Sequence, residues 1–362
     1  MNPAVEAITD RIREAIASGR PLCIRGGGTK DFYGETPTGD VLDVRALAGE
    51  ADHEPTELVV TAPAGMALVD LETQLDAHGQ SLAFEPPRFA SGATVGGMVA
   101  SGLSGPSRAA SGSVRDHVLG VTMVSGTGEL MHFGGRVIKN VAGYDVSRLI
   151  AGSLGILGVI VEVSLKVLPK ADAEATLRFD LAAAPALAQL HAWGGKPLPL
   201  DASAWWNDNL VVRLRGSVAA VEEGTRALGG EAIAPDAAAP FWQSLRDHAD
   251  PFFVAAAAAV ERGSATLWRL SLPQTAPPLG LAGDELIEWH GAQRWLLTSL
   301  PAAQVREAAT RARGHATLFR SRDKTGGAFA PLSKPIAQIH ERLKRSFDPE
   351  GILNPGRLYP GL

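Results

Sequence analysis

Residues 25–30, Arg-Gly-Gly-Gly-Thr-Lys, follow the apolar run Pro-Leu-Cys-Ile. Three consecutive glycines thus stand between two cations, directly after a predicted strand. Glycine permits positive φ and leaves backbone N–H groups within reach of a ligand. A cradle of such groups with a cation beside it is how proteins hold phosphate. A tight surface turn uses the same residue types, and one Gly-rich stretch does not separate the two readings. A second segment, PPRFASGATVGGMVASGLSGPSRAASGSVRDHVLG, carries glycines at 92, 96, 97, 102, 105, 112 and 120 among serines and threonines. Every glycine costs conformational entropy on folding, so this density calls for a flat, extended ligand lying against backbone. Thr94, Ser104, Ser107 and Ser113 are its candidate hydroxyl donors. A third segment, KNVAGYDVSRLIAGSLGILGVIVEV, repeats the theme. Its GSLGILG follows a predicted helix and precedes a strand, the reverse of a Rossmann turn, and no Gly-Lys-Ser/Thr phosphate loop occurs. Three such segments within residues 1–170 imply a long ligand with a pyrophosphate and a ring system.

The elements that must position these segments are short. DVLDV, ELVVTAP and VLGVTMV read as strands, and ALVDLETQLDAHG as a helix closed by Gly79. VLGVTMV-SGTG-ELMHF is a predicted hairpin. In VIVEVSLKVLP, Val161, Val163, Leu165 and Val167 alternate with Glu162, Ser164 and Lys166, the period of a half-buried strand. At 362 residues the chain exceeds one hydrophobic core, and Pro169 with the ADAEA that follows marks a boundary. Beyond it the glycine clusters stop and tryptophan becomes frequent. TLRFDL, SAWWNDNLVVRLRG, ATLWRLSLP and IEWHGAQRWLLTSL read as strands or hairpins between helices such as SVAAVEEGTRALGG and PAAQVREAATRARG. That order predicts an α+β unit with an antiparallel sheet. Neighbours on a strand face opposite ways, so one of Trp205 and Trp206 is expected to reach solvent or a partner. The expected domains are 1–170, 171–345 and a C-terminal segment 346–362.

Composition excludes several classes. Lys and Arg number 34 against 39 Asp and Glu, a net charge of −5 with no basic block, which argues against nucleic acid. The single cysteine, Cys23, allows no internal disulfide and no self-contained iron–sulfur cluster. The N-terminus reads as an amphipathic helix, with Val5, Ile8, Ile12 and Ile16 at helical spacing and Gly19 at its end, rather than a signal peptide. LIAGSLGILGVIV is too short and too rich in glycine to span a bilayer. A cytoplasmic protein is expected, meeting a membrane only through partners.

RGGGTK, SGATVGGMVASGLSG with GSVRDHVLGV, KNVAGYDVSRLIAGSLGILGVI and FDPEGILNPGR together resemble the successive FAD-contacting segments of the vanillyl-alcohol oxidase type (PCMH-type) flavoproteins. The resemblance is nearest to the glycolate oxidase D and E subunits, and in length and second half to the FAD-binding E subunits. It implies an α+β chain: a PCMH-type FAD-binding domain of two α/β subdomains, then an α+β cap domain. It assigns Gly26, Gly27, Gly28, Thr29 and Lys30 to the pyrophosphate loop. Gly92, Ala93, Thr94, Gly96 and Gly97 fall where backbone lines pyrophosphate and flavin, and Ser104, Gly105, Gly112, Ser113 and Val118 continue that wall. Gly158 and Ile160 match the backbone that meets the adenosine, Asn354 the asparagine near the isoalloxazine, and Asn140 and Tyr144 a motif near the ring.

Relatives that attach flavin covalently use a histidine just after the glycines. Thr29-Lys30 stands there instead, so FAD is expected without a covalent link. The D-type dehydrogenases build a metal site from a closely spaced histidine pair in the cap domain. His191, His248, His290, His315 and His340 show no ligand spacing, and no metal site is expected. Oxidising a 2-hydroxy acid needs a base for the hydroxyl proton and a cation for the carboxylate. Arg25, Lys30, Arg88, Arg108, Lys139 and Arg320 are possible cations, and no residue is assigned as catalytic. The resemblance implies a FAD-binding subunit of a multi-subunit glycolate oxidase, converting glycolate or a D-2-hydroxy acid to the 2-oxo acid, with a D-type flavoprotein and an iron–sulfur subunit as partners. A stand-alone FAD-dependent alcohol or hydroxy-acid oxidase and a structural subunit with inert FAD are the alternatives.

Overall fold

A computed structural model of the chain describes residues 2–136 and 144–362. Its contacts divide into two compact units: 1–103 with 113–169 and 331–362, and 104–112 with 170–330.

The first unit opens on helix Pro3–Ser18. Asn2 caps it, its Oδ1 accepting from the Ala4 N–H at 2.9 Å, proline takes the first turn, and Gly19 ends it at φ 64°. Val5, Ile8, Ile12 and Ala15 lie on its buried face. The strands are β1 (Leu22–Arg25), β2 (Asp40–Asp43), β3 (Asp52–Glu54), β4 (Val59–Pro63), β5 (Gln80–Ser81), β6 (Val118–Val124), β7 (Leu130–Gly134), β8 (Val159–Lys166) and β9 (Leu168–Pro169). β1 and β2 pair in parallel, and β5 pairs with β9. The main sheet is antiparallel in the order β3-β4-β8-β6-β7. β6 and β7 form the predicted hairpin. β8 departs from the half-buried expectation: it is the central strand, and Ser164 is buried along with Val163 and Leu165. The polar position is tolerated because Ser164 Oγ and Thr61 Oγ1, opposite each other across the β4–β8 pair, hydrogen-bond at 2.8 Å.

In the second unit the described strands are β10 (Ala173–Asp180), β11 (Leu200–Trp206), β12 (Asn209–Gly216), β13 (Glu231–Ile233), β14 (Thr266–Ser271), β15 (Asp284–Glu288), β16 (Gln293–Thr298) and β17 (His315–Arg320). They form one antiparallel sheet, ordered β13-β10-β12-β11-β15-β16-β14-β17. β11 and β12 turn through Asn207 and Asp208, both at positive φ, the residue types a two-residue hairpin demands. Trp205 and Trp206 are both half-buried. The Trp205 indole donates to the Leu181 carbonyl at 2.7 Å and that of Trp206 to Asp284 at 3.0 Å, so each face of the strand supplies a partner instead of solvent.

Two segments fall outside the boundaries expected from sequence. Residues 104–112 join the second unit because Ser107 is bonded into its sheet. Helix Lys334–Phe347 joins the first because Lys344 Nζ, on a buried side chain, donates to the carbonyls of Ile156 and Leu353 at 2.8 and 2.7 Å. Among the described residues no helix is long and apolar enough to cross a membrane.

Candidate functional site

The glycine loop after β1 is shaped first by its own chain. Gly28 sits at φ 71°, and the Arg25 guanidinium bridges back to Asp31 at 2.7 Å across the loop. Arg25 is thereby committed to an internal carboxylate. A Cβ at Gly26 would stand 2.5 Å from Thr94 Oγ1, and one at Gly27 would fall on the Gly92 carbonyl oxygen. The first two glycine segments therefore lie backbone to backbone. Gly96 belongs to the same packing, its Cβ position lying 2.8 Å from that of Ala64. Gly92 and Gly97 differ: the nearest atoms to a Cβ there are at 3.5 and 3.1 Å.

A cleft in the first unit is lined by residues 24–31, Thr94, Gly97, Ala100, Ser101, Leu154, Asn354 and Arg357. The three glycine-rich segments and the C-terminus, far apart in sequence, thus share one cavity. The C-terminus arrives by pairing beside β1: Leu22 N–H donates to the Ile352 carbonyl at 2.7 Å, and Asn354 N–H to that of Leu22 at 2.9 Å. The Asn354 carboxamide bonds at both ends. Its Oδ1 accepts from the Ile24 N–H and its Nδ2 donates to the Leu154 carbonyl, both at 2.6 Å. Asn354 is a clamp between three segments, and it lines the cleft while doing so.

The remaining expected site residues are placed as follows. Gly26, Gly27, Gly28, Thr29, Lys30, Thr94, Gly97 and Asn354 line the cleft. Ala93, Val118 and Ile160 are buried in the core of the first unit, and a Cβ at Gly158 would overlap the Met123 side chain. The Ser113 hydroxyl donates to Asp116 at 2.8 Å within a helix cap. Ser104, Gly105 and Gly112 belong to the second unit. Tyr144 is 94% exposed. Asn140 lies outside the described residues, as does Lys139.

Arg357, which ends the NPGR motif, is the residue that sequence reasoning passed over. It is 7% exposed, and its Nη2 reaches the carbonyls of Lys30 and Asp31 at 3.3 and 3.1 Å. Its Nη1 is buried with no hydrogen-bond partner among the described residues. Burial presses its pKa below the ordinary arginine range, against the pull of Asp31. A desolvated guanidinium with a vacant arm, on the wall of a cleft, is matched to an anionic group. Of the other possible cations, Arg88 faces Glu72 at 3.5 Å, Arg108 lies over the Trp289 ring at 4.7 Å, Lys30 lines the cleft 5.5 Å from the Phe89 ring, and burial brings the Arg320 pKa down to about 10.

Burial in the second unit disfavours the charged form of two of its histidines. Burial lowers His290 to about 4 and His248 well below its ordinary value, the latter stacked on Phe253 at 3.6 Å. Among the described residues no three His, Cys, Asp or Glu side chains come together as a metal site.

Residues 4–134 match the family model of an FAD binding domain. The chain is 44% identical over 357 residues to glycolate oxidase subunit GlcE of Escherichia coli K12, covering 99% of this chain and 98% of that one. The chain belongs to the glycolate oxidase FAD-binding subunit family. Its cofactor is FAD, and its class that of the FAD-dependent oxidoreductases. More distant similarity reaches glycolate oxidase subunit GlcD of Bacillus subtilis, 32% identical over 161 residues, and D-lactate dehydrogenase of Archaeoglobus fulgidus, 35% over 152. These cover 43% and 41% of this chain and 34% of each relative. A solved alkyldihydroxyacetonephosphate synthase superposes with a TM-score of 0.66 over 97% of this chain and 74% of its own, at 16% identity, which establishes the shared PCMH-type fold. The cleft fits the family's cofactor: glycine backbone lines it at Gly26, Gly27, Gly28 and Gly97, and its lining includes Arg357, a buried cation with one nitrogen unpartnered among the described residues.

Proposed function

We propose that this chain is the E-type subunit of a multi-subunit glycolate oxidase. It holds FAD non-covalently and works with a D-type flavoprotein and an iron–sulfur subunit. The observation that carries the cofactor site is the convergence of residues 24–31, Thr94–Ser101, Leu154 and Arg357 on one cleft. In this reading the glycine N–H groups and Arg357 take the pyrophosphate. Gly92, exposed and unconstrained by packing, leaves room for a ligand to lie on backbone. The segment after the glycines, Thr29-Lys30, offers no histidine for a covalent bond.

When bound, FAD supplies a two-electron acceptor for oxidation of the hydroxy acid. The chain's own residues bind and orient it and exclude water from its pyrophosphate. A hydroxy-acid site needs a base and a carboxylate anchor. Burial makes His248 and His290 poor proton acceptors, and Arg213 and Arg215 are committed to carboxylates, which supports placing that site on the D-type partner. With one cysteine the chain cannot pass electrons through a cluster of its own, which supports a dependence on partners for turnover.

Two measurements on the isolated chain test this. Acid precipitation is expected to release all flavin into the supernatant, and flavin left on the pellet refutes the non-covalent assignment. Anaerobic glycolate is expected to leave the oxidised flavin spectrum unchanged. Bleaching transfers the complete oxidising site to this chain, the stand-alone alternative.

Arg357→Met is expected to weaken FAD binding at least about tenfold, the loss of a charge-assisted hydrogen bond. Fluorescence titration of the flavin-free chain measures it, and unchanged affinity removes Arg357 from the site.

A further inference from the structure

Residues 104–112 leave the first unit after Leu103 and return to it at Ser113. The turn points are Gly102 at φ 63° and Gly112 at φ 90°, conformations that disfavour a side chain. Within the second unit this strap is held by Ser107, which is 1% exposed. Its Oγ donates to Asp201, whose two oxygens lie at 2.9 and 3.0 Å, and accepts from Arg213 Nη2 at 2.7 Å and Arg215 Nη1 at 3.3 Å. A serine hydroxyl has one proton and two acceptor sites, so its capacity is filled. Arg213 also binds Asp201 at 2.6 Å and lies over the Trp242 ring at 4.8 Å, while Arg215 bridges to Glu174 at 2.8 Å. Charges alternate from Glu174 through Arg215 and Asp201 to Arg213, so the buried ions compensate one another. A second tie joins the Trp289 indole to the Gly105 carbonyl at 3.0 Å.

An apolar residue at 107 would serve adhesion alone without the cost of desolvating charges. What the network adds is a single geometry. We propose that Ser107 is a positioning residue: its bonds to Asp201, Arg213 and Arg215 latch the strap, and FAD affinity in the flanking segments, Gly92–Ser101 and Ser113–Val118, depends on that latch. This rests on the assignment of those segments to FAD.

Ser107→Ala is the test, read by amide exchange over residues 104–112 in the flavin-free chain and by FAD titration. Exchange in the strap is expected to quicken, and the Kd for FAD to rise, each about tenfold. Glu174→Gln, at the half-exposed outer end, should change both by less than about threefold. Arg215→Gln should move both in the direction of Ser107→Ala by a smaller factor, and it decides the matter should Ser107→Ala not fold. Quickened exchange with unchanged Kd overturns the proposal, as does unchanged exchange. A merely structural Ser107 would lower the melting temperature of the flavin-free chain and leave the Kd alone. Wild-type chain that binds no FAD refutes the flavin assignment instead, while exchange still reports whether the latch holds the strap.

Discussion

Gly27→Ala is expected to yield a chain purified without flavin. The added Cβ falls on the carbonyl oxygen of Gly92, and both partners are backbone, so no side-chain rotation relieves the overlap. One of the two glycine segments must move, and overpacking of this kind costs about 1–3 kcal/mol even where side chains can adjust. The two segments share the cleft wall, so the displacement acts directly on the cofactor site, and on that scale a loss of affinity of up to about a hundredfold follows. Flavin bound per chain and far-ultraviolet circular dichroism measure the outcome. Full flavin content would refute the backbone-to-backbone packing. Gly92→Ala separates packing from ligand contact, because the nearest atom to its Cβ is the Gly27 carbonyl oxygen at 3.5 Å, an ordinary distance. It should fold as the wild type does and lose flavin only to the extent that FAD lies on residue 92.

The second large effect is expected from Asp348→Ala. Asp348 is 1% and Lys344 6% exposed, and their ion pair measures 2.6 Å. Removing the carboxylate leaves a buried ammonium without its counter-ion, which typically costs about 3–5 kcal/mol. Burial already lowers the Lys344 pKa, with Asp348 opposing, so the variant lysine should lose its proton more readily still. Asp348 also accepts from the N–H groups of Ile352 at 3.1 Å and Leu353 at 2.8 Å. The joint replacement Lys344→Met with Asp348→Leu is therefore not expected to restore stability: it removes both charges but orphans two buried N–H groups and the carbonyls of Ile156 and Leu353. Denaturant unfolding measures both variants. A loss under about 1 kcal/mol for Asp348→Ala would mean that the pair carries little of the C-terminal docking. The same segment positions Asn354 and Arg357, so flavin content should fall with stability.

The largest legible features were periodic or local. The N-terminal helix with its glycine stop, the β6–β7 hairpin and the β11–β12 turn are set by spacing and by residue types that favour particular φ values, and such preferences act before tertiary contacts form. Ser164 on β8 shows where periodicity stops being informative: a central strand covered on both faces accepts a polar residue once Thr61 stands opposite it. The glycines were read as places for a ligand. Gly27 is first of all a place where backbone meets backbone, and Gly26 and Gly96 are places where it meets the Thr94 and Ala64 side chains, because close approach of two chain segments excludes a Cβ as strictly as a ligand does.

By itself, the sequence called for a long ligand with a pyrophosphate and a ring system, through three glycine-rich stretches in 1–170, and the resemblance carried by those stretches and the FDPEGILNPGR tail named that ligand as FAD. The tertiary structure decided which of their atoms remain available. It committed Arg25 to Asp31 and Asn354 to Ile24 and Leu154, left one buried nitrogen of Arg357, a residue of the cleft lining, without a partner among the described residues, and drew Ser104–Gly112 into the second unit through Ser107. Hydrogen-bond capacity is finite, and partners hundreds of residues apart in sequence, such as Ile24 and Asn354, can consume it only once the chain has folded.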